Sequence, residues 1–221
     1  MAGRRTAVLI SGGGSNLQAL IDATEAGRCA AELALVISNR AAAFGLERAA
    51  RHGIPAVVVD HRSFASRAAF EALLDRQLRE AEIELVCLAG FMRVLTPGFV
   101  DAWRDRLLNI HPSLLPAFPG LHTHARALEA GCRVHGCTVH LVRPTLDDGP
   151  ILVQGVVPVL ADDDTERLAA RVLEVEHRCY PLALDLLARG EARIEADRVT
   201  LPVGVDPLVL HPELAGHALQ P

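Results

Sequence analysis

Asn109 and His111 stand two residues apart at the end of an apolar run, and the carboxylate Asp147 follows later in the chain. Together they are the residue types of a proton-transfer site. Side chains two apart on an extended segment point to one face, so Asn109 and His111 meet the same reacting atom if residues 107–110 form a strand. Pro112 then ends the ladder, because it has no N–H to give. A neutral amide polarises a carbonyl oxygen, an imidazole exchanges a proton near neutral pH, and a carboxylate orients an imidazole and favours its charged form. This chemistry requires neither a thiol nor a metal.

A second candidate lies after the first apolar run, where Ser11, Gly12, Gly13, Gly14, Ser15 and Asn16 lead into a helical pattern. Such a turn aims backbone N–H groups at an anion. The dinucleotide fingerprint needs a glycine where Leu17 stands, and the phosphate-loop pattern needs a lysine that is missing here. With Ser15 and Asn16 as side-chain donors, the loop suits a single phosphomonoester better than a pyrophosphate. The plainer reading is a tight turn with a capping residue.

The elements that must hold these groups read as alternating strands and helices. Apolar, β-branched runs at 6–10, 33–38, 56–59 and 85–88 are continuous rather than alternating, the pattern of parallel strands covered on both faces. Between them Leu17, Leu20 and Ile21 share one helical face, as do Phe70, Leu73, Leu74 and Leu78. The pattern predicts an α/β fold, a single Rossmann-like doubly wound, mostly parallel sheet flanked by helices. Beyond it come a Pro- and Gly-rich segment at 112–120, a short helix at 124–130, strands at 136–142 and 151–159, and a long amphipathic helix at 165–188 preceded by Asp162, Asp163 and Asp164. One domain over 1–202 is expected, with a loosely packed or disordered tail over 203–221.

The 22 basic residues are outnumbered by 27 acidic ones, which leaves no electrostatic footprint for nucleic acid or an anionic membrane. No apolar stretch is long enough to span a bilayer or act as a signal peptide, so a cytoplasmic protein acting on small molecules is expected, monomeric or homodimeric. Five cysteines without a C-x-x-C pair fit buried thiols in a reducing compartment. The crowding of His111, His122, His124, Cys132, His135, Cys137 and His140 raises a zinc hydrolase as an alternative. Against it, the spacings match no common zinc pattern, so no metal is expected. A non-catalytic nucleotide-binding module on the same scaffold is a further alternative.

Residues 11–17, 89–95, 109–116 and 146–150, taken in this order, give the chain a resemblance to the phosphoribosylglycinamide formyltransferase family over about residues 6–202. The resemblance implies a sheet of about seven strands and transfer of a formyl group from 10-formyltetrahydrofolate, as co-substrate, to the amine of glycinamide ribonucleotide, without a metal. It implies Asn109, His111 and Asp147 as the catalytic trio, and Gly14, Ser15, Asn16 and Glu176 as the ribonucleotide site. It places Arg67, Met92, Arg93, Val94, Leu95, Asn109, Arg143, Pro144, Thr145, Leu146 and Asp147 at the folate site, where Arg67 and Arg93 suit the carboxylates of a folate tail.

His122 and His140 are expected as polar groups behind the reacting ones, and residues 114–134 as a mobile cover. The sequence departs from the family at Asp148, where a glycine is common, and this carboxylate is expected to face solvent. Formyltetrahydrofolate hydrolase and methionyl-tRNA formyltransferase share the chemistry. The first normally carries an extra domain at its start and the second one at its end, and neither addition is expected here.

Overall fold

The computed structural model describes residues 3–215. Its central sheet has eight strands: β1 (Arg4–Ile10), β2 (Ala31–Ser38), β3 (Ala56–Val58), β4 (Leu85–Leu88), β5 (Leu107–His111), β6 (Val134–Leu141), β7 (Ile151–Pro158) and β10 (Leu208–Leu210). In space they run β10-β7-β6-β5-β4-β1-β2-β3, and β8 (Arg193–Glu195) pairs with β9 (Arg198–Thr200) in a separate hairpin. Within the eight-stranded sheet only β6 runs against its neighbours. The helices are α1 (Ser15–Glu25), α2 (Gly45–Arg51), α3 (Arg67–Glu80), α4 (Pro97–Ala102), α5 (Thr123–Glu129), α6 (Thr165–Ala188) and α7 (Pro212–Ala215).

Strand parity divides the core into two layers. Val8, Ile10, Leu85, Cys87, Leu108 and Ile110 pack with Leu17, Leu20, Val172, Val175 and Tyr180 on the α1 and α6 side. Ala7, Leu9, Val86, Leu88 and Leu107 pack with Phe70, Leu74, Phe99 and Trp103 on the α3 and α4 side. Both faces of these strands are thus dry, which is why they read as unbroken apolar runs. On β5 the same alternation places Asn109 and His111 on the face of Leu107.

The chain winds outward from β1 through β2 to β3, then crosses to β4 and β5 on the other side of β1. That reversal leaves a crevice beyond the carboxyl ends of β1 and β4, the place where doubly wound sheets bind ligands. The glycine turn after β1 and the segment after β4 both open there.

The sheet has an eighth strand, and it comes from the segment expected to be loose: Leu208, Val209 and Leu210 pair in parallel with Gln154, Gly155 and Val156. Val209 is buried and His211 is fixed by Glu174 at 3.0 Å, so residues 208–211 are packed against the sheet. Within the segment 203–221, residues 216–221 lie outside the described residues.

Candidate active site

Asn109 and His111 reach the cleft because β5 ends there, as their spacing requires. Opposite β5, His140 on β6 pairs in register with Asn109. The Nδ1 of His140 lies 3.1 Å from the Leu141 carbonyl, which can only accept, so the proton sits on Nδ1. Its Nε2 therefore accepts from the Asn109 amide nitrogen at 3.2 Å, and this sets which way the Asn109 amide faces. Burial lowers the His140 pKa, consistent with a neutral ring.

Asp147 arrives from the loop between β6 and β7 in the left-handed conformation, φ 53°, which Asp tolerates better than most residues. Its Oδ2 lies 3.5 Å from His111 Nδ1 and accepts the Gly120 N–H at 2.9 Å. The Nε2 of His111 faces the Phe118 carbonyl at 3.1 Å. Both His111 nitrogens thus look at oxygen acceptors, one a carboxylate and one a loop carbonyl that a substrate oxygen could replace. Asp147 Oδ1 is 4.0 Å from His140, too far for a hydrogen bond.

The loop behind Pro112 is held by a polar network invisible in the sequence. Thr138 donates to the Ser113 carbonyl at 2.7 Å and accepts from the Leu115 N–H, while Gln154 donates to both Leu115 O and Thr138 Oγ1. Together with the Asp147 bond to Gly120, these contacts tie two loops and two strands around His111.

The cleft has a volume of about 780 Å³ and is lined by all three catalytic candidates, Asn109, His111 and Asp147, and by Met92, Arg93, Val94, Leu95, Arg143, Pro144 and Leu146. Met92, Val94, Leu121 and Leu146 remain exposed at its rim, an apolar margin suited to a flat heteroaromatic ligand.

Other placements differ from expectation. His122 is exposed, lines the cleft itself and occupies the cap position before α5, so it does not stand behind a reacting group. Arg67 opens α3, is exposed and does not line the cleft. Arg143 lines the cleft as expected, with its guanidinium held by Asp105 and Asp197. Asp148 is exposed, as expected.

At the glycine turn, Gly14 caps α1 with φ 70° and no side-chain hydrogen bond, which leaves the first N–H groups of an eleven-residue helix open to an anion. A Cβ on Gly14 would lie 2.8 Å from the Gly45 Cα, so only glycine lets α2 approach. Ser11 faces inward, donating to Asn39 at 2.7 Å and accepting the Met92 N–H at 2.8 Å, so it ties the turn to the cleft wall. Arg48, which the sequence did not single out, donates to the Gly13 carbonyl at 2.9 Å. Asn16 donates to Glu176 at 2.7 Å, and its own Oδ1 has no partner. Burial pushes the Glu176 carboxyl up to about 7, opposed by that Asn16 bond.

Of the histidines and cysteines that raised zinc, Cys137 is wholly buried, while His124 and His135 pack ring against ring at 5.3 Å. Burial, helped by His124, pushes His135 down to about 4. Among the described residues no group of three or more His, Cys, Asp or Glu is arranged to hold a metal, and no helix is long and apolar enough to cross a membrane.

Sheet order, glycine turn and a His–Asp pair beside a large cleft define a doubly wound α/β protein. The formyl transferase family model matches residues 4–184. The phosphoribosylglycinamide formyltransferase of Escherichia coli (strain K12) is 46% identical over 194 residues, covering 88% of this chain and 92% of that protein. A trifunctional purine biosynthetic protein adenosine-3 of Drosophila melanogaster is 53% identical over 196 residues, and there the match spans only 14% of the relative's length. Among solved structures, glycinamide ribonucleotide transformylase 1 from Symbiobacterium toebii superimposes with a TM-score of 0.87 at 50% identity, covering 90% of this chain and 93% of that one. The chain belongs to the formyl transferase family.

Proposed function

We propose that this protein transfers the formyl group of 10-formyltetrahydrofolate to the amine of 5-phosphoribosylglycinamide, releasing tetrahydrofolate and the formylated ribonucleotide, as a cytoplasmic enzyme of purine biosynthesis acting on small molecules. The observation that carries this reading is the convergence of Asn109, His111 and Asp147 on one large, apolar-rimmed cleft. Family membership and the 46% identity to a relative named phosphoribosylglycinamide formyltransferase support it.

In this reading the phosphate docks on the N–H groups at the start of α1, with Ser15 and Asn16 beside it. Glu176, held by Asn16, takes ribose hydroxyls. The folate ring enters the cleft between residues 92–95 and the loop carrying Asp147.

The amine attacks the formyl carbon, a C–N bond forms, and the carbonyl oxygen becomes an oxyanion. The free N–H of Asn109 and an N–H of His111 donate to it, each such donor being worth about 3 kcal/mol of barrier. Asp147 fixes the imidazole through Nδ1, which leaves Nε2 to serve the reacting atoms once substrate displaces the Phe118 carbonyl. Collapse breaks the bond to folate N10. The proton lost by the attacking amine ends on that nitrogen, with His111 as the general acid–base group.

The test is an assay of 10-formyltetrahydrofolate with and without the glycinamide ribonucleotide. Tetrahydrofolate that forms only when the acceptor is present supports transfer. Release at the same rate without acceptor favours the hydrolase reading, an activity named for a formyltetrahydrofolate deformylase from Pseudomonas syringae that shares the fold at 25% identity with a TM-score of 0.83.

A further inference from the structure

The hairpin of β8 and β9 stands outside the main sheet, and nothing in the reaction described above uses it. Its turn is made by Ala196 and Asp197, both with positive φ (48° and 58°), the mirror-image turn that suits a two-residue hairpin. This turn delivers the Asp197 carboxylate to Arg143. Arg143 Nε donates to Asp197 Oδ1 at 2.8 Å, Nη2 donates to Asp105 Oδ1 at 2.6 Å, and Nη1 donates to the Val142 carbonyl at 3.2 Å. Arg104 also reaches Asp197, at 3.0 Å. The Arg143 side chain is only 7% exposed, whereas Asp105 and Asp197 are 40% and 55% exposed.

Arg143 sits where the catalytic loop leaves the sheet. Val142, just before it, still donates to the Leu107 carbonyl of β5, and the chain then departs and returns at Pro150, whose carbonyl accepts the Leu141 N–H. Asp147 and Leu146 lie on this excursion. Asp105 lies in the turn that feeds β5, the strand carrying Asn109 and His111. The Arg143 guanidinium therefore clamps the root of the Asp147 loop between the entry of the catalytic strand and the tip of the hairpin.

We propose that Asp105 and Asp197, acting through Arg143, are positioning residues that hold the 143–147 segment in the conformation that closes on the folate and presents Asp147 to His111. This rests on the formyl-transfer reading for its kinetic consequence, but not for its structural one. A planar guanidinium engaging two carboxylates from separate elements defines an orientation that a single contact would not. Left without counter-charges, a buried guanidinium is no longer fixed in one orientation, and the segment it roots, which lines the cleft, loses that restraint.

Both carboxylates occupy left-handed backbone, Asp105 at φ 60° and Asp197 at φ 58°. Asparagine is at home there, so Asp105→Asn with Asp197→Asn removes charge without unbending either turn. The experiment measures hydrogen–deuterium exchange of the full chain together with Michaelis constants for each substrate. The double variant is expected to exchange the amides of residues 145–149 about tenfold faster, and to raise KM for the formyl donor about tenfold with KM for the ribonucleotide within about twofold.

Unchanged exchange over 145–149 overturns the proposal, and so does an equal rise in both constants, which would mark general loosening. Should the double variant fail to fold, Arg143→Met, which strands no buried charge because Asp105 and Asp197 are exposed, is put to the same two measurements with the same expected and contrary results. If the wild-type protein transfers no formyl group at all, the functional reading falls while the exchange comparison still decides this one.

Discussion

The Cα of Gly149 passes so close to the carbonyl of Leu141 that a Cβ there would lie 1.6 Å from the oxygen. This contact closes the loop that carries Asp147, and no rotamer can relieve it because the clash is with backbone. Gly149→Ala must therefore shift the loop, with an expected loss of turnover of about a hundredfold and a stability loss of about 1–3 kcal/mol. Its neighbour Asp148 is exposed and lacks a positive φ. Asp148→Gly is expected to leave kcat/KM within about twofold. Steady-state assays and thermal melts of the two variants check both halves.

Glu176 predicts an unusual pH dependence. Its folded carboxyl is raised from 4.5 to about 7 by burial. Between those values the folded protein holds a proton that the unfolded chain has released, so this group's contribution to stability is present at low pH and lost as pH rises through the window. Glu176→Gln cannot titrate. The mutant should gain on the wild type by something on the order of 3 kcal/mol between pH 4.5 and pH 8, read from paired denaturant titrations. A difference that does not change with pH contradicts the assignment.

His140 is expected to act through Asn109 rather than on substrate. Replacing it with Phe removes the acceptor at 3.2 Å that fixes the amide. Turnover is expected to fall between about tenfold and a hundredfold, as for a misplaced donor. Adding Asn109→Ala to His140→Phe should then cost little more than Asn109→Ala alone. Fully additive losses in this double-mutant cycle would show that the two residues act separately.

Much of the scaffold was legible because its strands are buried on both faces and therefore uniformly apolar. β10 was not, since Leu208–Leu210 is three residues among prolines and is held by backbone pairing with β7, which leaves no periodic trace. The β8–β9 hairpin escaped notice for a related reason, as its turn is Ala-Asp rather than a glycine-containing pair. At the site, the spacing of Asn109 and His111 was informative by strand parity alone. Asp147 needed the family resemblance, because nothing local says that its loop folds back over β5. The Phe118 carbonyl and the Gly120 N–H that flank the pair are backbone atoms, and no residue type announces them. Arg143 was placed at the folate site by the resemblance alone, and nothing local announces that Asp105 and Asp197 hold its guanidinium.

The central claim is that His111 performs chemistry in a site whose ribonucleotide pocket is built elsewhere. Single-turnover formyl transfer by His111→Ala, with ribonucleotide affinity measured on the same preparation, addresses it directly. The expected result is a rate lower by about a hundredfold to ten-thousandfold with affinity changed less than about threefold, and a His111→Ala, Asp147→Asn double variant no slower than the single one by more than about threefold. A His111→Ala enzyme that transfers formyl at close to the wild-type rate would contradict the account.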